Sequence, residues 1–230
     1  MSWTRNIYDQ TSKPVGRTTL RKLIVSFILF TIPVIAFAYI ADEVVEGDTM
    51  QIDNRILLGI YHQSTPVLNE IVLLVTGLGG VFGVAGLSLA IIGIFMYRFH
   101  WQSCLQVVAG VAGAALLNMI LKLIFERDRP NLWQHLIFEN SYSFPSGHAM
   151  LSSALAFSLV VVMWHTRWRW IVTSLAAAYV VSIGFTRLYL GVHYPTDVVA
   201  GWCVSAAWVI IVAVVLGSFG FGKRGKRLSK

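Results

Sequence analysis

Charge is scarce in this chain. Only 13% of its 230 residues are Asp, Glu, Lys or Arg, while 56% are hydrophobic. A soluble domain carries about 25% charged residues, so roughly half of the charge needed to clothe a water-facing surface is missing. Cysteine is nearly absent too. The two present, Cys104 and Cys203, lie inside apolar runs with no CxxC or Cys/His cluster, which excludes a disulfide framework and a zinc site and leaves packing. Acids are the rarer sign, eleven against eighteen Lys and Arg, for a net charge of +7. In a soluble protein that excess would suggest a nucleic-acid partner. In a membrane protein it follows from Lys and Arg gathered on cytoplasmic loops, and no nucleic acid is implied. Disordered chains are polar and poor in aromatics, whereas 13% of this one is Phe, Trp or Tyr. The composition is that of an integral membrane protein.

A bilayer core of about 30 Å takes roughly 20 apolar residues per helix. The first candidate span is Leu23 to Ile40. The Ala36-Phe37-Ala38 triplet imitates a signal-peptidase site, but the apolar run exceeds the usual h-region of about 7–15 residues and favours an uncleaved anchor. An acidic stretch with Asp42, Glu43, Glu46, Asp48 and Asp53 follows. Ile71 to Tyr97 then runs without a charge, too long for one untilted span. Its glycines, Gly77, Gly79 and Gly80, predict a short interfacial helix breaking into a second span at Val81 to Tyr97. Leu105 to Ile124, Ala149 to Trp164, Trp170 to Phe185 and Val198 to Phe219 complete six. Small-residue pairs such as Gly79-x-x-x-Gly83 and Ala109-x-x-x-Gly113 read as packing contacts, and Trp101, Trp164, Trp168 and Trp170 as interfacial anchors.

The expected fold is therefore all-α, a polytopic bundle of six transmembrane helices with both termini cytoplasmic. Thirteen of the eighteen cations fall on the inner side: Arg5, Lys13, Arg17, Arg21, Lys22, Arg98, Arg167, Arg169, Lys223, Arg224, Lys226, Arg227 and Lys230. Of the acids only Asp9 joins them. The chain divides into a basic cytoplasmic segment (1–22), a six-span domain (23–219) and a basic cytoplasmic tail (220–230).

Arg55, Lys122, Arg127, Arg129 and Arg187 escape that rule, and charge beside a bilayer is expensive unless paired or functional. Taken singly, Lys122 and Arg187 read as snorkelling side chains or as partners of Glu126 and Asp128. Taken together they form a pattern. Lys122, Arg129 and Pro130 end span three, Pro145-Ser146-Gly147-His148 opens span four, and Thr186-Arg187 with His193 and Asp197 joins spans five and six. All three clusters fall on the non-cytoplasmic face. Three cations match the charge of a phosphate, with arginine forks suited to its oxygens. Ser146 and Gly147 stand at a helix N-terminus, where backbone N–H groups cradle anions and Ser146 also suits an N-cap. An in-line phosphoryl transfer needs a nucleophile and a proton donor. His193, oriented by Asp197, fits the first role, and His148 fits the second as general acid. His62, His100, His135 and His165 read as structural.

These residues resemble the three-part signature of the type 2 phosphatidic acid phosphatase superfamily, KxxxxxxRP, PSGH and SRxxxxxHxxxD. Here they read Lys122-LIFERD-Arg129-Pro130, Pro145-Ser146-Gly147-His148 and Thr186-Arg187-LYLGV-His193-YPT-Asp197 (motif ranges 122–130, 145–148 and 186–197). Thr186 departs from the usual serine. The resemblance implies a phosphohistidine on His193, supported by Asp197. His148 would protonate the leaving group and then activate water, and Lys122, Arg129, Ser146, Gly147 and Arg187 would bind the phosphate. It also implies hydrolysis of a membrane lipid phosphate with no metal and no cofactor, and no metal-ligand spacing contradicts this. A bacterial member in the inner membrane would act on undecaprenyl diphosphate or phosphatidylglycerol phosphate. Phosphatidic acid, diacylglycerol diphosphate and lipid A phosphates stay open.

The aromatic segment between Pro130 and Pro145 reads equally as a headgroup contact or as a loop packed over the bundle. A lipid phosphotransferase is the alternative enzyme reading, and a vanadate-dependent haloperoxidase fits the anion site but not the membrane body. A transporter of an anionic substrate is the alternative of another class, although the charges lie at span ends rather than at a midplane site.

Overall fold

The structure is a computed structural model describing residues 17–98 and 100–217. The basic tail therefore lies outside the described residues, as does most of the basic N-terminal segment. Eight helices make up the described chain, and no strand occurs in it. They are α1 (Arg17–Glu46), α2 (Met50–Tyr61), α3 (Pro66–Gly77), α4 (Val81–Tyr97), α5 (Trp101–Phe125), α6 (Gly147–Met163), α7 (Arg169–Tyr189) and α8 (Pro195–Val215).

Four helices, α1, α5, α7 and α8, are long and apolar enough to cross a bilayer. The pair α3 and α4 passes the same test as one span bent by 53°, which raises the count to five. The break falls at the predicted glycines. At the bend Gly83 packs so closely on the preceding turn that a Cβ there would meet the Gly77 carbonyl oxygen at 2.1 Å. α6, the remaining expected span, is apolar but has only 17 residues. In the acidic stretch Asp42, Glu43 and Glu46 finish α1, Asp48 lies in the turn that follows, and Asp53 lies on α2.

α6 is the centre of the bundle, packed by α4, α5, α7 and α8. Its buried residues are mostly small, including Ala149, Ser152, Ser153, Ala154, Ala156 and Ser158, so neighbouring backbones approach closely. Inside such a packing a hydroxyl needs a partner, and Ser152 and Ser153 donate to the carbonyls of His148 and Ala149, one turn back. Gly113 admits the Trp208 ring of α8, whose indole N–H donates to the Ala109 carbonyl at 2.9 Å. The outward faces are greasy: Phe27, Ile32, Ile35, Leu116, Met119 and Leu123 are all exposed. Water would not tolerate that surface, and hydrocarbon would. This is a membrane protein.

Candidate active site

Four helix ends meet at one pole of the bundle: the C-termini of α5 and α7 and the N-termini of α6 and α8. Each is ended by a local device. Glu126 closes α5 in the left-handed conformation (φ 44°), its N–H on the Lys122 carbonyl, and the chain leaves sideways toward Arg127 and Arg129. Ser146 caps α6, its hydroxyl accepting from the Ala149 N–H at 3.5 Å. Pro195 begins α8 and places Asp197 in its first turn, with the Asp197 carboxylate accepting the Tyr194 N–H at 2.9 Å. Between α7 and α8 the chain turns at Gly191 (φ +70°), against which the Trp133 ring packs so closely that a Cβ would lie 2.5 Å from it. Trp133 also stacks on Tyr61 of α2 at 4.4 Å. The 131–144 segment is thus pinned over the site at Trp133, while Phe138 stays exposed.

The three clusters converge through direct bonds. Arg129 donates to the Val192 carbonyl at 2.7 Å and stands 3.2 Å from His193 Nε2, joining the first cluster to the third. The Ser146 N–H donates to the Asp197 carbonyl at 3.0 Å, joining the second to the third. Asn118 of α5 donates to the Pro145 carbonyl at 2.9 Å and lies against Gly147, joining the first to the second. Lys122 Nζ and Arg129 share the Ser141 hydroxyl at 2.8 and 3.2 Å. His148 turns its Nε2 against Gly80 at the α3–α4 break, where a Cβ would lie 3.2 Å away.

His193 is 1% exposed, and its Nδ1 lies 3.3 Å from Asp197 Oδ2. That carboxylate fixes the tautomer with the proton on Nδ1 and leaves Nε2 with its lone pair facing the cations. Burial first, then the charges of Arg129, Arg187 and Lys122, hold the imidazole well below its ordinary value of 6.5, so it stays neutral at neutral pH. Arg187 is fully buried. Its Nη1 donates to Thr76 of α3 at 2.8 Å, its Nη2 meets Glu139 at 2.5 Å, and its Nε has no partner among the described residues. A buried guanidinium N–H without an acceptor is costly, and a bound phosphate oxygen would satisfy it.

Glu139 links Arg187 to Arg129. Burial works against its ionisation, but Arg187 and Arg129 outweigh it and hold the carboxyl below its usual range, with His148 and His193 also within electrostatic reach. One carboxylate therefore pairs with both guanidiniums.

A family profile described as the PAP2 superfamily matches residues 103–220. The chain belongs to the PAP2 superfamily. It is 34% identical over 169 residues to phosphatidylglycerophosphatase B of Bacillus subtilis (strain 168), covering 70% of this chain and 79% of the relative. It is 36% identical over 89 residues to an undecaprenyl-diphosphatase of Sulfolobus acidocaldarius, covering 39% of this chain and 40% of that one. Among solved structures, the transmembrane PAP2 type phosphatidylglycerolphosphate phosphatase from Bacillus subtilis matches with a TM-score of 0.69. The identity there is 30%, over 89% of this chain and 98% of that one.

Within this PAP2 fold Arg187 pairs with Glu139 and Lys122 bonds Ser141, so the partners of both come from the 131–144 segment rather than from Glu126 and Asp128. The Thr186 hydroxyl donates to the Ile183 carbonyl of its own helix at 2.7 Å. Sequence reading also passed over Glu139, Ser143, Thr76 and Asp53. Their only linear signal is polarity near apolar runs, and each has a partner between 48 and 143 residues away.

Proposed function

We propose that this protein hydrolyses a lipid phosphate or diphosphate through a phosphohistidine intermediate, with phosphatidylglycerol phosphate and undecaprenyl diphosphate as the leading substrates. The carrying observation is the His193 imidazole, oriented by Asp197 and facing Arg129 with its free Nε2. In the first step Nε2 attacks phosphorus, the N–P bond forms, and the P–O bond to the lipid breaks. The departing oxygen takes a proton from His148. In the second step His148 removes a proton from water, whose oxygen attacks phosphorus and releases inorganic phosphate as the N–P bond breaks. Lys122, Arg129, Arg187, Ser146 and Gly147 hold the phosphate oxygens, and their charge stabilises the transition state.

A lateral route for the lipid is supported by a cavity of about 850 Å³ beside the site. Lys122, Arg129 and Glu139 are among its polar lining residues, and Met119, Leu123 and Phe138 among its apolar ones. Met119 and Leu123 are lipid-facing residues of α5, so an acyl or prenyl chain can stay in hydrocarbon while its phosphate reaches His193. The charge asymmetry supports an arrangement of six spans, counting the α3–α4 pair and α6 as one each, with both termini cytoplasmic and the site on the opposite face, toward the periplasm or exterior.

The test is phosphate release from a panel of lipid phosphates in detergent micelles by wild type and His193→Ala, with and without chelator. Chelator-insensitive release that His193→Ala abolishes supports the reading. Release that survives the substitution, or an inactive wild type, refutes it. Transfer of labelled phosphate to an added acceptor lipid in place of water would make the protein a phosphotransferase.

A further inference from the structure

Two buried charges beside the site have no place in the reaction as just written. Arg127 follows α5 and Asp53 lies on α2, with side chains only 8% and 1% exposed. Arg127 is flanked in sequence by two acids, Glu126 and Asp128, yet both are exposed and it pairs with neither. Its Nη2 donates to Asp53 Oδ2 at 2.9 Å, and its Nη1 donates to Asp197 Oδ1 at 2.5 Å. Thr196 closes the link. Its hydroxyl donates to Asp53 Oδ2 at 2.7 Å, its N–H donates to Asp53 Oδ1 at 3.2 Å, and the same hydroxyl accepts from Arg127 at 2.8 Å. The Tyr194 ring lies 4.0 Å from the guanidinium carbon and fixes its plane.

We propose that Arg127 and Asp53 are positioning residues for the His193–Asp197 pair, a buried Asp–Arg–Asp bridge that sets the charge the carboxylate presents to the imidazole. The proposal deepens the phosphatase reading and rests on it. The two oxygens of Asp197 have separate duties. Oδ2 takes the Ser143 hydroxyl and the Tyr194 N–H and faces His193 Nδ1, while Oδ1 faces Arg127. The carboxylate therefore cannot rotate without losing a charged partner.

Charge balance shows why both residues are needed. Asp53, Arg127 and Asp197 together carry one net negative charge. That is what a histidine turning cationic on phosphorylation requires beside it. Without Asp53, Arg127 would neutralise Asp197 alone and the imidazole would lose its counter-charge. Without Arg127, two carboxylates would share a buried space, and one would be driven to take a proton. An ion pair kept only for packing would be replaceable by apolar residues without loss. This one touches the carboxylate that orients the nucleophile.

The bridge acts on the chemical step and leaves the phosphate clamp of Lys122, Arg129 and Arg187 alone. The experiment compares wild type, Asp53→Asn, Arg127→Gln, Arg127→Lys and the double variant Asp53→Asn/Arg127→Gln on phosphatidylglycerol phosphate in detergent micelles. It reads kcat, KM, the competitive inhibition constant of inorganic phosphate, and acid-quench trapping of labelled phosphohistidine. We expect kcat and the trapping rate to fall about tenfold in Asp53→Asn and about a hundredfold in Arg127→Gln, the range for removing a bond to a buried charge. KM and phosphate inhibition should stay within twofold of wild type. Arg127→Lys should recover part of the loss, because a point charge reaches one carboxylate and not both. The double variant should outperform Arg127→Gln, since removing Asp53 relieves the unbalanced pair. Asp53→Asn with wild-type kcat, or losses in kcat matched by weakened phosphate inhibition, would overturn the proposal while leaving the phosphatase reading standing. A wild type that releases no phosphate from any lipid phosphate would overturn both.

Discussion

Glu139 reaches the buried Arg187, its Oε1 2.5 Å from Nη2, and its second oxygen stands 3.5 Å from Arg129 Nη2. A carboxylate held by two guanidiniums has the charge sign and the forked geometry of a phosphate edge. A phosphate entering the same ring competes with it for the charge and donors of those guanidiniums. Glu139→Gln removes the competing charge and keeps the shape. The expected outcome is a KM and an inhibition constant for inorganic phosphate lowered several-fold, with kcat within about threefold of wild type. Phosphate inhibition that is unchanged or weaker in Glu139→Gln would show that the carboxylate does not occupy the phosphate position.

The clamp itself is tested by removing its donors. Loss of one preorganised donor costs about 2.7–4 kcal/mol of transition-state stabilisation, so Arg129→Ala and Arg187→Ala should each lower turnover by about a hundredfold to a thousandfold. Arg187→Lys should remain impaired. A lysine ammonium carries its three N–H donors on a single nitrogen and cannot span the separate directions of Thr76, Glu139 and the ligand as the planar fork of Arg187 does. Steady-state phosphate release measures all three, and near-normal turnover in either alanine variant would remove that residue from the clamp.

How much of this was legible beforehand varies with distance along the chain. His193 and Asp197 are four residues apart, so their pairing follows from local spacing and a proline that starts α8. The glycines at 77–80 announce a break because a bend inside a long apolar run needs them. Arg127 shows the limit. Two acids adjoin it in sequence, but at the end of α5 the left-handed Glu126 turns the backbone, and the guanidinium enters the bundle toward Asp53 and Asp197. Glu139 was invisible for a similar reason, since a lone acid in an aromatic loop gives no hint that the loop folds back onto Arg187. α6 reads short as a span because its job is central packing through small residues rather than contact with lipid along its length.

pH dependence follows from His193. Its neutral form is favoured by burial and then by Arg129, Arg187 and Lys122, with Glu139 opposing. The catalytically competent neutral imidazole therefore persists below pH 6.5, and the acid limb of kcat/KM due to this group should lie below that value. Arg129→Ala removes a charge that disfavours protonation, so the limb should move upward in pH. The stability consequence has the same sign. The unfolded chain protonates this histidine near 6.5 and the folded chain resists, so its contribution is intact above 6.5 and is lost as pH falls toward the depressed folded value. A pH–rate profile corrected for substrate ionisation, measured for both proteins, checks the direction. An unmoved limb in Arg129→Ala would refute the coupling.

Thr186 distinguishes a structural hydroxyl from a ligand-binding one. It is 2% exposed, and its Oγ1 donates 2.7 Å to the Ile183 carbonyl, one turn back on α7. Thr186→Ser keeps that bond and deletes a buried methyl, a change that typically costs about 0.5–1.5 kcal/mol of stability. Thr186→Val keeps the shape and deletes the hydroxyl, whose acceptor already belongs to the helix ladder. Neither change touches the phosphate ring, so both variants should hold turnover and KM within about threefold of wild type while melting at slightly lower temperatures. If the hydroxyl instead reached the phosphate, Thr186→Val would raise KM about tenfold while Thr186→Ser did not, since a lost bond to a charged group costs about 1.5–3 kcal/mol. The split between serine and valine therefore locates the hydroxyl, whatever either substitution does to stability.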